Sequence, residues 1–221
     1  MASNAGELMK RLLSTIAAIA LAGHSVPSLA FDWNGFYAGL GVGYSAGDAD
    51  VHYSADIGGV CDFSMAPSGW FGGVTAGVNY SLDGVVVGVE ADVSLADITD
   101  TVPDVTDLAE TVTSTTDWTG TLRGRVGFHA GDFMPYLTTG VVAAHVNSSG
   151  TDGPGVEEDA TLFGAVAGAG VEVAVADNIT VKGEALYSWF GDHTWYEGEA
   201  YQNVSTSSSA SVRGGVNFHF D

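Results

Sequence analysis

The residues of this chain that come closest to a hydrolytic arrangement are His145, Asn147 and Ser148, near the end of an alternating run. A histidine base activates a hydroxyl nucleophile only when the two side chains lie within hydrogen-bond distance. In a β-strand His145 and Asn147 share a face while Ser148 points to the other, and asparagine is not a nucleophile. We therefore interpret His145 as a polar residue on the inner face of a β-structure that encloses a lumen, and we predict no catalytic residue.

Metal binding is the second chemistry that the residue types allow. Acids cluster at Asp48 and Asp50, at Asp97 and Asp100, and over residues 157–159. Calcium and magnesium prefer several carboxylate oxygens, but the spacing lacks the twelve-residue calcium-loop pattern with a central glycine and a final glutamate. We interpret these acids as solvated loop charges and predict neither a metal site nor a cofactor.

Two of the four basic residues after position 30 lie in the segment 118–128, which alternates without a break and so predicts an amphipathic β-strand. One face carries Trp118, Leu122, Val126 and Phe128, and the other carries Thr119, Thr121, Arg123 and Arg125. The two end rings lie about 33 Å apart along a strand, or about 25 Å in height if the strand tilts by about 40°. That height matches the apolar band of a transmembrane strand.

Eight such runs can be read in the sequence, at about 35–46, 68–81, 85–96, 116–129, 134–147, 161–175, 179–190 and 205–220. Long connectors at 47–67, 97–115, 148–160 and 191–204 alternate with short ones at 82–84, 130–133 and 176–178. An even strand number with long loops at one end and tight turns at the other is typical of a transmembrane barrel. We predict an all-β fold, an eight-stranded antiparallel transmembrane up-and-down β-barrel.

The aromatic residues of the apolar face gather at two levels, with small aliphatic residues between them. The level near the turns contains Phe36, Tyr80, Phe128, Tyr136, Phe218 and Phe220. The level near the long connectors contains Tyr44, Trp70, Trp118, Phe163, Tyr187 and Trp189. Because amphipathic rings settle at the headgroup region of a bilayer, this pattern predicts two aromatic girdles on a lipid-facing surface.

The opposite face of the runs carries every basic residue after position 30, together with four acids. The eight are Glu90, Asp92, Arg123, Arg125, Glu172, Lys182, Glu184 and Arg213. An eight-stranded barrel has room inside for side chains alone, so enclosed charges must neutralise one another or meet water. We therefore predict a lumen charge network with a structural role.

The first 30 residues have the pattern of a secretory signal peptide. Lys10 and Arg11 precede a short apolar run at 12–22, and Ser28-Leu29-Ala30 offers a small-x-small cleavage site. The apolar run is too short to span a bilayer as a helix. We predict a signal peptide at 1–30 and an outer-membrane β-barrel domain at 31–221, with Met9 as an alternative start.

Composition narrows the class of protein further. The 221 residues include 31 glycines, are 15% charged and carry a formal net charge of −21. Without residues 1–30, four basic residues stand against 26 acids, since Glu7 leaves the total of 27. Such a field repels phosphate backbones and excludes nucleic-acid binding. The single cysteine, Cys61, excludes an intramolecular disulfide.

An ordered set of motifs carries a family resemblance over residues 31–220. The motifs are FDWNGFYAGLGVGY, DWTGTLRGRVGF, MPYLTTGVVAA, GAGVEVAVADN, KGEALYSWFGD and VRGGVNFHF. The chain resembles the small outer-membrane β-barrel family of Gram-negative bacteria, which includes porin-family and opacity-protein-like surface antigens. The resemblance implies both termini in the periplasm and a structural, antigenic or adhesive role. Relatives usually end on an aromatic residue that the assembly machinery reads, whereas here Asp221 follows Phe220, which affects the expected assembly efficiency rather than the fold.

These observations predict a non-catalytic protein of the cell outer membrane with a structural and surface-display role. That role covers envelope integrity, surface antigenicity or adhesion through acidic external loops. The expected partners are outer-membrane lipid and lipopolysaccharide, the barrel-assembly machinery, and a host or surface ligand at the loops. The alternative is a narrow porin-like channel for small solutes, because inner glycines leave space that water could join.

Overall fold

The computed structural model describes residues 31–55, 60–103, 111–150, 157–191, 193–195 and 201–220. The predicted signal peptide and Asp221 lie outside the described residues. The described residues form ten strands: β1 (Gly35–Ala55), β2 (Val60–Met65), β3 (Ser68–Leu82), β4 (Val85–Pro103), β5 (Thr111–Phe128), β6 (Phe133–Gly150), β7 (Glu157–Ala176), β8 (Ile179–Phe190), β9 (His193–Trp195) and β10 (Tyr201–Phe220). No helix that is long and apolar enough to cross a membrane occurs in the described part of the chain.

Eight of the strands form a closed antiparallel barrel in the order β1-β3-β4-β5-β6-β7-β8-β10. Pairing of β1 with β10, from Phe36 opposite Phe220 to Ala55 opposite Tyr201, closes the ring. Each strand therefore has a neighbour on both sides, which removes the exposed sheet edges that a bilayer does not tolerate. The predicted fold class is confirmed.

Both described chain ends and three tight turns lie at one end of the barrel, which we call the turn end. The turn between β3 and β4 consists of Asp83 and Gly84, both with positive φ (45° and 92°), and Gly131 between β5 and β6 has φ 65°. Positive φ at both central residues matches the right-handed twist of a two-residue hairpin. The opposite end, where the strands run furthest, is the loop end.

The strands at the loop end are longer than the sequence predicts. β1 continues to Ala55, β4 to Pro103 and β6 to Gly150, so the connectors predicted at 47–67, 97–115, 148–160 and 191–204 are partly strand. The short strand β2 pairs with the extension of β1, and β9 pairs with that of β10. The prediction followed the apolar alternation, which stops at the edge of the lipid-facing belt, whereas backbone pairing continues beyond it.

Side chains alternate between the two faces of the wall as a barrel requires. On β4, Val89 and Val93 are exposed while Glu90 and Asp92 are buried. On β5, Leu122 and Val126 are exposed while Arg123 and Arg125 are buried. Apolar side chains thus cover the outside and charged side chains fill the inside, which is the reverse of a soluble protein.

Candidate functional site in the barrel lumen

Five strands carry the eight charged residues of the lumen. β4 supplies Glu90 and Asp92, β5 supplies Arg123 and Arg125, β7 supplies Glu172, β8 supplies Lys182 and Glu184, and β10 supplies Arg213. None of the eight is more than 9% exposed. Residues directly opposite on paired strands share a face, and the register places Glu90 opposite Arg123 and Arg213 opposite Glu184. Strand pairing alone therefore brings acids and bases together.

Glu90 is the centre of the network. Its carboxylate is paired with Arg123 and lies 2.7 Å from Lys182 Nζ, 3.1 Å from Arg213 Nη2 and 3.4 Å from Arg125 Nη1. The Tyr37 hydroxyl also donates to Glu90 Oε2 at 2.8 Å. All four basic side chains of the barrel thus meet one carboxylate, from strands on different sides of the lumen.

Three further carboxylates balance the cations on the loop side and the turn side of Glu90. Glu184 accepts from Arg213 Nε at 2.5 Å and from Arg123 Nη1 at 3.1 Å. Asp92 lies 3.1 Å from both of the same arginines. Together with Glu172, which binds Arg125, the four bases and four acids form one cluster. Charged hydrogen bonds within this cluster offset the large free-energy penalty of burying ions.

Glu172 forms the turn-side part of the cluster. Its Oε2 lies 2.6 Å from Arg125 Nη2, and its Oε1 accepts from Thr180 Oγ1 at 2.5 Å and from Asn217 Nδ2 at 2.7 Å. His219 Nε2 lies 3.6 Å from the same oxygen. Lys182, although directly opposite Glu172 in the strand register, reaches across the lumen to Glu90 instead.

Tyr136 lies inside the barrel, so its predicted place in the turn-side aromatic girdle is wrong. It is 4% exposed, and its ring lies 4.5 Å from the Arg125 guanidinium carbon. The register explains the reversal: Thr138 is opposite the inward-facing Arg125, so Tyr136, two residues earlier, also faces inward. Leu137 and Val141 take the outer face instead. A guanidinium over an aromatic ring is a favourable cation–π contact.

The other eleven aromatic residues of the two predicted girdles lie on the outer face. At the turn end, Phe36 is opposite Phe220. At the loop end, Tyr44 packs against Trp70 with ring centroids 5.4 Å apart, and Tyr187 packs against Trp189 at 4.8 Å. The remaining members are Tyr80, Trp118, Phe128, Phe163 and Phe218. Their position at the bilayer interfaces remains a prediction.

Buried apolar layers lie on the loop side and on the turn side of the charges. On the loop side Val142, Val166 and Leu186 are buried against one another, with Phe190 packed on them. On the turn side Phe31, Trp33, Val86, Met134 and Tyr136 form a second buried cluster. A cavity of about 10 Å³, lined by side chains that include Lys182 and Arg213, has room for one water molecule. The interior is therefore filled over most of its length.

Sequence reasoning missed the residues that complete the turn-side layer. In the sequence, Phe31 and Trp33 belong to a motif of the family resemblance, and they also continue the inward odd-numbered alternation of Tyr37. Thr180, Asn217 and His219 lie on the predicted inner face, but their contacts with Glu172 depend on positions far apart in the chain. The alternation could have found their direction, though not their partners.

His145 faces outward, which corrects its interpretation as a lumen residue. It is opposite Trp118 in the register and stacks on that ring with centroids 5.9 Å apart. Its Nδ1 lies 3.4 Å from Thr161 Oγ1 on β7. The Ser148 side chain lies outside the described residues. The structure thus places His145 in an exterior polar patch, stacked on the Trp118 ring.

Comparisons with known proteins agree with the fold. A family model described as the outer membrane protein beta-barrel domain matches residues 16–220. The chain is 31% identical over 211 residues to a 31 kDa outer-membrane immunogenic protein of Brucella melitensis, covering 89% of this chain and 87% of that protein. It is 32% identical over 158 residues to a 22 kDa outer membrane protein of Rhizobium leguminosarum, covering 71% and 64%.

Among solved structures, the outer membrane protease OmpT of Escherichia coli matches with a TM-score of 0.51 and 10% identity. The match covers 89% of this chain and 100% of that one. At this identity the similarity supports a common barrel architecture and carries no implication about chemistry.

Proposed function

Because the chain belongs to the outer membrane protein β-barrel family of Gram-negative bacteria, we propose that it is a non-catalytic structural and surface-display protein. Its place is the cell outer membrane, where the barrel spans the bilayer. The turn end faces the periplasm, and the loop end presents acidic connectors at the cell surface. The name of the Brucella relative, an outer-membrane immunogenic protein, supports an exposed surface role.

The filled lumen is the observation that carries this proposal. Eight paired charges occupy the middle of the barrel, and buried apolar side chains lie on both sides of them. An eight-stranded barrel has an interior just wide enough for side chains to fill. The barrel therefore serves as a rigid membrane anchor, and the interaction with other molecules falls to its outer surface and its loops.

The proposed partners follow from these surfaces. The apolar outer face contacts the acyl chains of outer-membrane lipid and lipopolysaccharide, and the barrel-assembly machinery inserts the chain. A host or surface ligand binds at the external loops. The absence of catalysis is supported by the outward position of His145 on the Trp118 ring and by relatives whose names describe immunogenic proteins rather than enzymes.

A narrow channel is the second candidate, and the water-sized cavity beside Lys182 and Arg213 is the observation in its favour. We expect the purified, folded protein to give no stable single-channel steps in a planar lipid bilayer, because ion passage would require disruption of both apolar layers and the charge network. A porin inserted in the same bilayer serves as the positive control. Reproducible discrete steps of uniform size would overturn the structural role and establish the channel.

A further inference from the structure

The four residues that precede β1 cross the mouth of the barrel instead of extending its wall. We call residues 31–34 the N-terminal strap. Phe31 and Trp33 are buried at 8% and 1% exposure, whereas Asp32 and Asn34 are exposed. The strap therefore presents two aromatic rings to the lumen and two polar side chains to the solvent at the turn end.

Hydrogen bonds tie the strap to the wall on both sides of the mouth. Trp33 Nε1 donates to the carbonyl oxygen of Gly131 at 3.1 Å, in the β5–β6 turn on the far side of the ring from β1. Asn34 Oδ1 accepts from the backbone nitrogen of Ser81 at 2.8 Å, beside the β3–β4 turn. Hydrogen bonds from Asn34 also hold the pKa of Asp32 below its usual value, so the solvent side of the strap stays ionised.

The strap rings pack on residues contributed by separate strands. Phe31 and Trp33 contact the buried cluster that contains Val86 of β4 and Met134 of β6. The His219 ring of β10 lies edge-on to both, with centroids 4.9 Å from Phe31 and 6.2 Å from Trp33. These surfaces come together only when the barrel has closed, so the strap docks on a finished wall.

Gly35 provides a hinge between the strap and β1. Its φ is 104°, in the region that side-chain-bearing residues rarely adopt, and a Cβ there would lie 3.0 Å from the Phe220 carbonyl oxygen. The chain can turn sharply here, from the direction of the wall to a path across the mouth.

We propose that the N-terminal strap is a lid that closes the mouth of the finished barrel at the turn end. Opening of this lid admits water and small solutes to the part of the lumen next to the turn end. The strap lacks the continuous ladder of a strand and is held by a few contacts. Segments of this kind open locally at lower free energy than the core. The lid thereby separates the Glu172 side of the charge network from the solvent.

A cysteine behind the strap can report this opening. Asn79 lies on the inner face one pleat deeper than Val86, is 2% exposed, and its side chain makes no hydrogen bond among the described residues. Asn79→Cys in a Cys61→Ser background therefore removes no bond and leaves a single thiol. The rate at which this thiol reacts with a small charged methanethiosulfonate reagent is measured in the folded, full-length protein. Labelling is quantified only in the gel band of the folded protein.

We expect slow labelling in this parent and a rate about tenfold or more higher after Trp33→Ala, because the variant loses both the ring and the bond to Gly131. Trp70→Ala is the matched control, since it removes an exposed outer tryptophan, and it should leave the rate unchanged. Equal rates in the parent and in Trp33→Ala would overturn the proposal, as would fast labelling of the parent. If Trp33→Ala gives no folded band, Phe31→Ala replaces it, with an increased rate as the supporting result and an unchanged rate as the refuting one.

Discussion

Replacement of Arg123 by alanine is expected to destabilise the barrel by roughly 3–5 kcal/mol, the usual effect of removing one partner from a buried ion pair. Arg123 is 1% exposed and contacts Glu90, Asp92 and Glu184. Without it, the four buried carboxylates of the network share three remaining cations, and an empty volume is left between them. The temperature at which the folded gel band converts to the unfolded band should fall clearly, and so should the urea midpoint in lipid vesicles.

Leu122→Ala is the matched control, because it changes the neighbouring residue on the outer face, where the side chain is 54% exposed. We expect a much smaller shift for this variant. Combining Arg123→Ala with Glu90→Gln should recover part of the loss, since the double variant removes an acid together with its base. An unchanged transition in Arg123→Ala would show that the network contributes nothing to stability.

Gly140→Val is expected to destabilise the barrel by about 1–3 kcal/mol through overpacking. Gly140 lies opposite Arg123 on the inner face, and a Cβ there would overlap the Leu122 carbonyl oxygen and come to 2.6 Å from the Arg123 Cα. Because the obstructing atoms belong to the backbone, β5 and β6 must separate to make room. The displacement also moves the guanidinium on which three carboxylates depend.

Gly183→Val offers the same substitution without the obstruction, because a Cβ at Gly183 meets no atom within 4 Å. It introduces an equally β-branched residue into β8. The temperature at which the folded gel band converts to the unfolded band should be measured for both variants. We expect a lower temperature for Gly140→Val than for Gly183→Val. Equal temperatures would mean that close approach of β5 and β6 at Gly140 is unimportant.

The alternation of apolar and polar residues correctly predicted which side chains face outward and which face inward, wherever one face of a strand is apolar and the other is polar. On β4 and β5, valines and leucines alternate with charges, so a one-residue slip would place ions in the lipid, and the register has one solution. On β6 the signal is divided, because Leu137, Val141 and Val142 include both odd and even positions. Only pairing with β5, which puts Thr138 opposite Arg125, fixes Tyr136 inside.

The partners inside the lumen depend on closure of the ring. Counting four acids and four bases predicted a neutral cluster, but neighbouring positions on paired strands decide only some of the ion pairs, such as Glu90 with Arg123. Lys182 bonds to Glu90, 92 positions away, rather than to the adjacent Glu172. The contact of Trp33 with Gly131 spans 98 positions and is equally invisible to local patterns. Such contacts form because a long side chain spans the lumen of the closed barrel. The distance that it must span cannot be read from local sequence patterns.

Labelling from within the lipid is the most direct measurement of the central claim, that the apolar face contacts lipid and the charged face is enclosed. An apolar photoactivated carbene reagent would be dissolved in vesicles that contain the folded protein, and the modified residues located by mass spectrometry. We predict modification at Val87 and Leu122 and none at Arg125 or Glu172. Modification of Arg125 and Glu172, with Val87 and Leu122 spared, would contradict the account.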